Sequence, residues 1–108
     1  MKLQIVSPAG LMYEEEVKGF SINTNTGERS ILDRHGDFIA FYQFSDISIL
    51  YDEKATNTTV STYYVALGYL YVSDNKAYII AQLASDKKEE IQATYNRILK
   101  IRGDNANV

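Results

Sequence analysis

Any chemistry in this chain has to come from a short list of side chains. Its one histidine, His35, stands in the polar stretch Asp33-Arg34-His35-Gly36-Asp37. A histidine so placed reads as a general base, as a pH-sensitive contact or as a plain surface residue. With Asp33 and Asp37 it would begin a metal site, but a metal-binding set wants a second histidine or a defined geometry. Glu14-Glu15-Glu16 is either a cation site or a solvated acidic run. Glu14 and Asp37 would serve a small hydrolase as paired carboxylates, provided the fold holds them roughly 5–9 Å apart. The chain has no cysteine, which excludes disulfides, thiolate nucleophiles and cysteine-held zinc. No Ser-His-Asp order, P-loop or glycine-rich phosphate cradle occurs. No catalytic residue, cofactor-binding residue or metal ligand is therefore assigned, and no cofactor is expected.

Tyrosine is the abundant reactive-looking type, with 9 copies and no tryptophan. Tyr63, Tyr64, Tyr69, Tyr71 and Tyr78 fall in β-rich runs. They read either as cross-strand packing or as a flat amphipathic face that buries against a partner.

The elements that must position these residues come from a single domain of 108 residues and 12.2 kDa. A domain of this size leaves little chain for a deep catalytic cleft. The formal charge of −3 and pI near 5.0 argue against a nucleic-acid binder, which would need a basic face. No apolar run is long enough to span a bilayer, so no direct membrane insertion is expected. The start, Met1 to Pro8, lacks a signal-peptide layout, from which an intracellular location is expected.

Up to about residue 84 the pattern has a period of two. Lys2–Ser7 alternates and stops at Pro8-Ala9-Gly10, a turn signal. A second strand is expected over Val17–Asn23, followed by a turn at Thr24-Asn25-Thr26-Gly27. Ser30-Ile31-Leu32 is a short apolar piece. Phe38–Phe44, Ile47–Tyr51, Thr58–Val65, Tyr69–Val72 and Ala77–Leu83 read as further strands. Hairpin turns are placed at Asp52–Asn57 and at Ser73-Asp74-Asn75-Lys76, where Asp-Asn tolerates left-handed backbone. The spacing predicts a mainly β, antiparallel β-sandwich of seven to ten short strands over residues 1–84.

From Asp86 the period becomes helical, with Ile91, Tyr95 and Ile98 on one stripe. One C-terminal α-helix is expected over 85–102. Asp86 and Glu89 would form a capping box, with Ser85 as the rival cap. Arg97, Lys100 and Arg102 would sit in the last turns beside the negative dipole end, and Gly103 would stop the helix. Residues 103–108 would form a flexible tail.

This order of elements resembles the epsilon subunit of the F-type ATP synthase. The opening Leu3-Gln4-Ile5-Val6-Ser7-Pro8-Ala9-Gly10 is similar to the family's L-x-I-V-T/S-P-x-G start. Glu16-Val17 matches its G-E-V step. Gly27 to Asp37 aligns without gaps on its G-E-x-G-I-L-P-G-H-A-P loop, keeping Gly27, Glu28, Ile31, Leu32 and His35. Ala66-Leu67-Gly68-Tyr69-Leu70-Tyr71-Val72 stands where the family has S-G-G-F-L-E-V. Asn75 falls on the family's turn Asn, and Ala77–Ala84 on its V-T-V-L-A strand.

The resemblance implies a non-catalytic rotor subunit of an F-type or F-like ATPase. It would clamp the base of a gamma-like central shaft in a complex with alpha- and beta-like chains. Its location would be cytoplasmic and peripheral, on the cytoplasmic side of the membrane. The shaft-facing residues would be Phe41, Tyr42, Tyr69 and Tyr71. The base-facing loop, near a proteolipid ring or a replacement base, would be Glu28, Asp33, Arg34 and His35. That loop departs from the pattern, since both prolines and the first glycine have given way to Asp33, Arg34 and Asp37. Some family members bind ATP through I-D-x-x-R-A on the C-terminal helix. The matching stretch here, Ile91-Gln92-Ala93-Thr94-Tyr95-Asn96, lacks the acid and the arginine, so no ATP site is expected on it. The alternative is a generic β-sandwich interaction module with no rotary role.

Overall fold

The computed structural model describes residues 1–51 and 60–106. The strands are β1 (Lys2–Ser7), β2 (Gly10–Glu16), β3 (Gly19–Thr24), β4 (Gly27–Leu32), β5 (Phe38–Leu50), β6 (Val60–Ser73) and β7 (Lys76–Ser85), followed by the helix α1 (Lys88–Ala106). They form one hydrogen-bonded, 7-stranded sheet in the order β2-β1-β7-β6-β5-β3-β4. The sheet folds over on itself, because its two ends share a single core. Leu3 and Ile5 of β1 and Ile79 of β7 pack in one cluster with Phe20 and Ile22 of β3 and Ile31 of β4. The result is a two-layered sandwich in which the long strands β5 and β6 serve both layers.

The strands are not all antiparallel. β1 runs parallel to β7, from Lys2 opposite Lys76 to Val6 opposite Ile80. A parallel pair needs a long crossover rather than a hairpin. Here the whole intervening sandwich is that crossover, which local sequence pattern does not register. β2 is a strand where alternation alone marked none. Of its residues only Tyr13 is half-buried, so an edge strand of this kind leaves a weak apolar signal.

β5 and β6 are each continuous where the pattern indicated two shorter strands apiece. The reason lies at their midpoint. Tyr42 pairs with Gly68 and Phe44 with Ala66, but the rung between Gln43 and Leu67 is missing. Leu67 takes a positive φ of 59° there. Before this corner Ala40, Tyr42, Leu70 and Val72 point inward; after it Ser45, Ile47, Ile49 and Val65 do. The inward parity thus switches in both strands at one place. A period-two reading breaks at such a switch and reports an end. The proposed hairpin at Asp52–Asn57 lies outside the described residues.

The β6–β7 turn is as expected, with Asp74 at φ 52° and Asn75 at φ 59°, the two left-handed positions of a type I′ turn. α1 begins three residues later than expected and runs through Gly103 to Ala106, so the span assigned to a tail from residue 103 is helical as far as 106. Its start is organised by Ser85 rather than by Asp86 and Glu89. Ser85 Oγ accepts from Lys87 N–H at 3.0 Å and donates to Glu90 Oε2 at 2.9 Å. Ile91 is buried and the ring of Tyr95 lies tilted, 5.4 Å from that of Phe44, so the stripe Ile91-Tyr95-Ile98 packs on the outer side of the corner.

Candidate partner-binding face

Strand pairing sets which side chains share the outer surface of the β2-β1-β7-β6-β5 layer. Leu11 stands opposite Val6, Val6 opposite Ile80, Ile80 opposite Tyr69, and Tyr69 opposite Phe41. These registers make one apolar row across five strands, about 19 Å long at the usual strand spacing. A parallel row carries Tyr78, Tyr71 and Ile39. Phe41 is 60% exposed, Ile39 59% and Leu11 55%, far more than apolar side chains of a covered face show. Ring pairs stiffen the surface. Phe41 and Tyr69 lie 6.2 Å apart, and Tyr71 stacks on Tyr78 at 6.2 Å. Such cross-strand pairs hold each ring in one orientation.

Tyr42 does not belong to this face. It is 2% exposed and points to the core, where its hydroxyl donates to the Ile80 carbonyl at 2.7 Å. Burial pushes the ionisation of its phenol upward. The pocket over Gly68 makes room for it, since a Cβ on Gly68 would come within 1.7 Å of the Ile80 oxygen and 2.8 Å of the Tyr42 hydroxyl. Phe41 and Tyr42 are sequence neighbours and so take opposite sides of the strand. Ile39, Val6, Leu11 and Ile80 complete the face, and sequence reasoning missed them. The signal for Ile39 was there in its i, i+2 relation to Phe41, but those of Val6 and Leu11 depend on the parallel pairing of β1.

The loop residues separate into two groups. Asp33, Arg34 and His35 share one turn. The Met1 ammonium donates to Asp33 Oδ1 at 2.8 Å, and Arg34 N–H donates to Asn75 Oδ1 at 2.7 Å. The hydrogen bond from Met1, then one from Asn75, pulls the Asp33 carboxyl down to about 2. His35 lies edge-on to Phe38, with ring centroids 5.6 Å apart. Glu28 stands at the far end of β4, opposite Asn23, five residues or about 16 Å from Asp33 along the strand. The structure therefore does not bring it to the same loop.

The hydrolase reading finds no geometry. Glu14 is held on β2 by Lys2 Nζ at 2.9 Å and by Gln4 Nε2 at 2.9 Å, which lowers its pKa. Among the described residues no ion pair or hydrogen bond joins it to Asp37. Among them, too, no group of His, Asp and Glu is gathered as a metal would require, and no helix is long and apolar enough to cross a membrane.

Residues 1–87 match the family described as ATP synthase, Delta/Epsilon chain, beta-sandwich domain. The chain belongs to this family. It is 31% identical over 102 residues to the ATP synthase epsilon chain of Priestia megaterium, covering 94% of this chain and 72% of that one. It is 27% identical over 95 residues to the chloroplastic epsilon chain of Mesostigma viride, with 84% and 68% covered. The fold is also similar to that of a chain from the Tetrahymena thermophila mitochondrial ATP synthase, in a structure of its central stalk and c-ring. The TM-score there is 0.65 at 15% identity, over 82% of this chain and 68% of that one. Against the epsilon pattern, Leu67 occupies the first glycine of S-G-G-F. It keeps the left-handed backbone that a glycine would adopt without strain.

Proposed function

We propose that this epsilon-family chain is a non-catalytic rotor subunit of an F-type or F-like ATPase, gripping the foot of a gamma-like shaft with the outer face of its first layer. The apolar row from Leu11 to Phe41 carries the reading. Apolar side chains aligned across five strands, with Leu11, Tyr69 and Phe41 left in water, mark a surface meant for burial. A sandwich closed by a shared core is a stiff part, which suits the transfer of torque. Alpha- and beta-like chains would surround the shaft, and the subunit would work on the cytoplasmic side of the membrane as a peripheral component.

The test is a titration with the gamma-type shaft subunit encoded in the same organism. Phe41→Ser together with Tyr69→Ser is expected to weaken binding by more than tenfold, since aromatic anchors dominate such interfaces. Affinity equal to that of the unaltered chain would sink the assignment. A free-standing module would ignore the shaft from the outset.

The charged loop favours a second, narrower reading. Asp33 and Arg34 replace a proline and a glycine of the family pattern, and both are tied inward, to Met1 and Asn75. In that reading the chain serves an F-like assembly whose base is not an ordinary proteolipid ring. Purification of the native complex with a stoichiometric proteolipid ring would dispose of it.

A further inference from the structure

The apolar face and the end of α1 meet at the sheet corner. There Phe41, Gln43, Leu67, Gln82 and Arg102 help line a groove of about 460 Å³, within the size range of binding clefts. Its floor includes the missing rung, so the backbone groups of Gln43 and Leu67 are not committed to each other. Its lining holds one formally charged side chain, Arg102.

The exposed surface of the last turns of α1 carries both cations and apolar side chains. Arg97, Lys100 and Arg102 are exposed, as are Leu99 at 44% and Ile101 at 53%. The helix dipole does not account for these cations. α1 continues to Ala106, and its last turn carries no basic residue. The ion pairs among the described residues all involve Met1 or Lys2. Of these cations Arg102 is the one that lines the groove, at the edge of the apolar face.

We infer that this groove takes an acidic, apolar-sided segment of the shaft-type partner, with a carboxylate of that segment paired to the Arg102 guanidinium. The inference rests on the partner reading of the outer face and extends it around the corner to the helix. Phe41 would touch the apolar side of the segment and Arg102 its charge. A guanidinium offers two parallel donors to a carboxylate, which adds orientation to attraction.

Titration of the gamma-type shaft subunit at low and high ionic strength, with Arg102→Glu, Arg102→Lys and Phe41→Ser, separates the two readings. Arg102→Glu is expected to weaken binding about tenfold at low ionic strength, with the gap narrowing as salt screens the pair. Arg102→Lys keeps the charge and should fall between the two. Phe41→Ser should weaken binding at both ionic strengths. If Phe41→Ser weakens binding while Arg102→Glu, melting as the unaltered chain does, binds normally at both, the inference is overturned and the face reading stands. If Phe41→Ser binds normally, the face reading itself falls and takes the inference with it. A chain that binds vesicles of anionic lipid through Arg102, and whose shaft affinity ignores Arg102, would also overturn it.

Discussion

Gly68 and Leu67 show how two adjacent residues govern the corner. Gly68 sits under the Tyr42 hydroxyl and against the Ile80 carbonyl, so any Cβ there collides with backbone. Gly68→Ala is expected to cost about 3 kcal/mol or more, by chemical denaturation, because β7 must move. Tyr42→Phe, which removes only the buried hydrogen bond to Ile80, should cost about 1–2 kcal/mol. Near-equal values would show that the corner relaxes freely. Leu67 carries a strain of about 1 kcal/mol for its left-handed backbone. Leu67→Gly should therefore leave stability within about 0.5 kcal/mol of the starting value, relief of strain offsetting lost burial and the added chain entropy. Leu67→Val keeps more apolar surface yet should be the less stable variant, since a branched Cβ tolerates positive φ worst. A denaturation series that ranks Val above Gly would refute the strain argument. Asp33 gives a pH signature. Its carboxyl is lowered from 3.8 to about 2 in the folded chain. The stabilisation is complete above about pH 4 and is lost as pH falls through about 2. Asp33→Asn should flatten that acid limb. Parallel stability curves for the two proteins between pH 5 and 2 would exclude the Met1–Asp33 pair as its cause.

At the level of elements, α1 is held by a narrow stripe and a cap. Ser85→Ala removes the acceptor for Lys87 N–H and the partner of Glu90. It should destabilise the helix by about 1 kcal/mol. Amide exchange is expected to quicken in residues 88–95 with little change in β1, β6 and β7; uniform quickening would mean that helix and sandwich open as one unit. The sheet edges are guarded differently. Glu15 of β2 is opposite the core residue Leu3 yet exposed, an acid on the inward side of an edge strand. That arrangement discourages pairing with other strands. At the other edge Glu28 and Arg29 of β4 play the same part. The alternation made β1, β3 and β7 legible, and the helical stripe Ile91-Tyr95-Ile98 was legible for the same reason. β2 was not, because an edge strand with one half-buried side chain carries almost no periodic signal.

For the molecule as a whole, the apolar core is complete without the helix. The cluster from Leu3 to Ile79 contains no α1 residue, and Ile91 is the helix's one buried apolar side chain among the described residues. Deletion of residues 88–108 should thus leave a cooperatively unfolding sandwich that still binds the shaft through Phe41, but with the salt dependence of binding reduced. Collapse to an uncooperative melt would show that the row under α1, Phe44 and its neighbours, is needed for folding. Sequence alone determined the strand-then-helix order, the Asp-Asn turn and the family, since these rest on local spacing. It named Phe41, Tyr69 and Tyr71 for the face. Only the tertiary structure decided that Tyr42 turns inward, that Glu28 stands away from Asp33, and that Val6 and Leu11 extend the row. Alternation says that a strand has two sides. Which side is covered depends on pairings such as β1 with β7, between residues more than seventy positions apart.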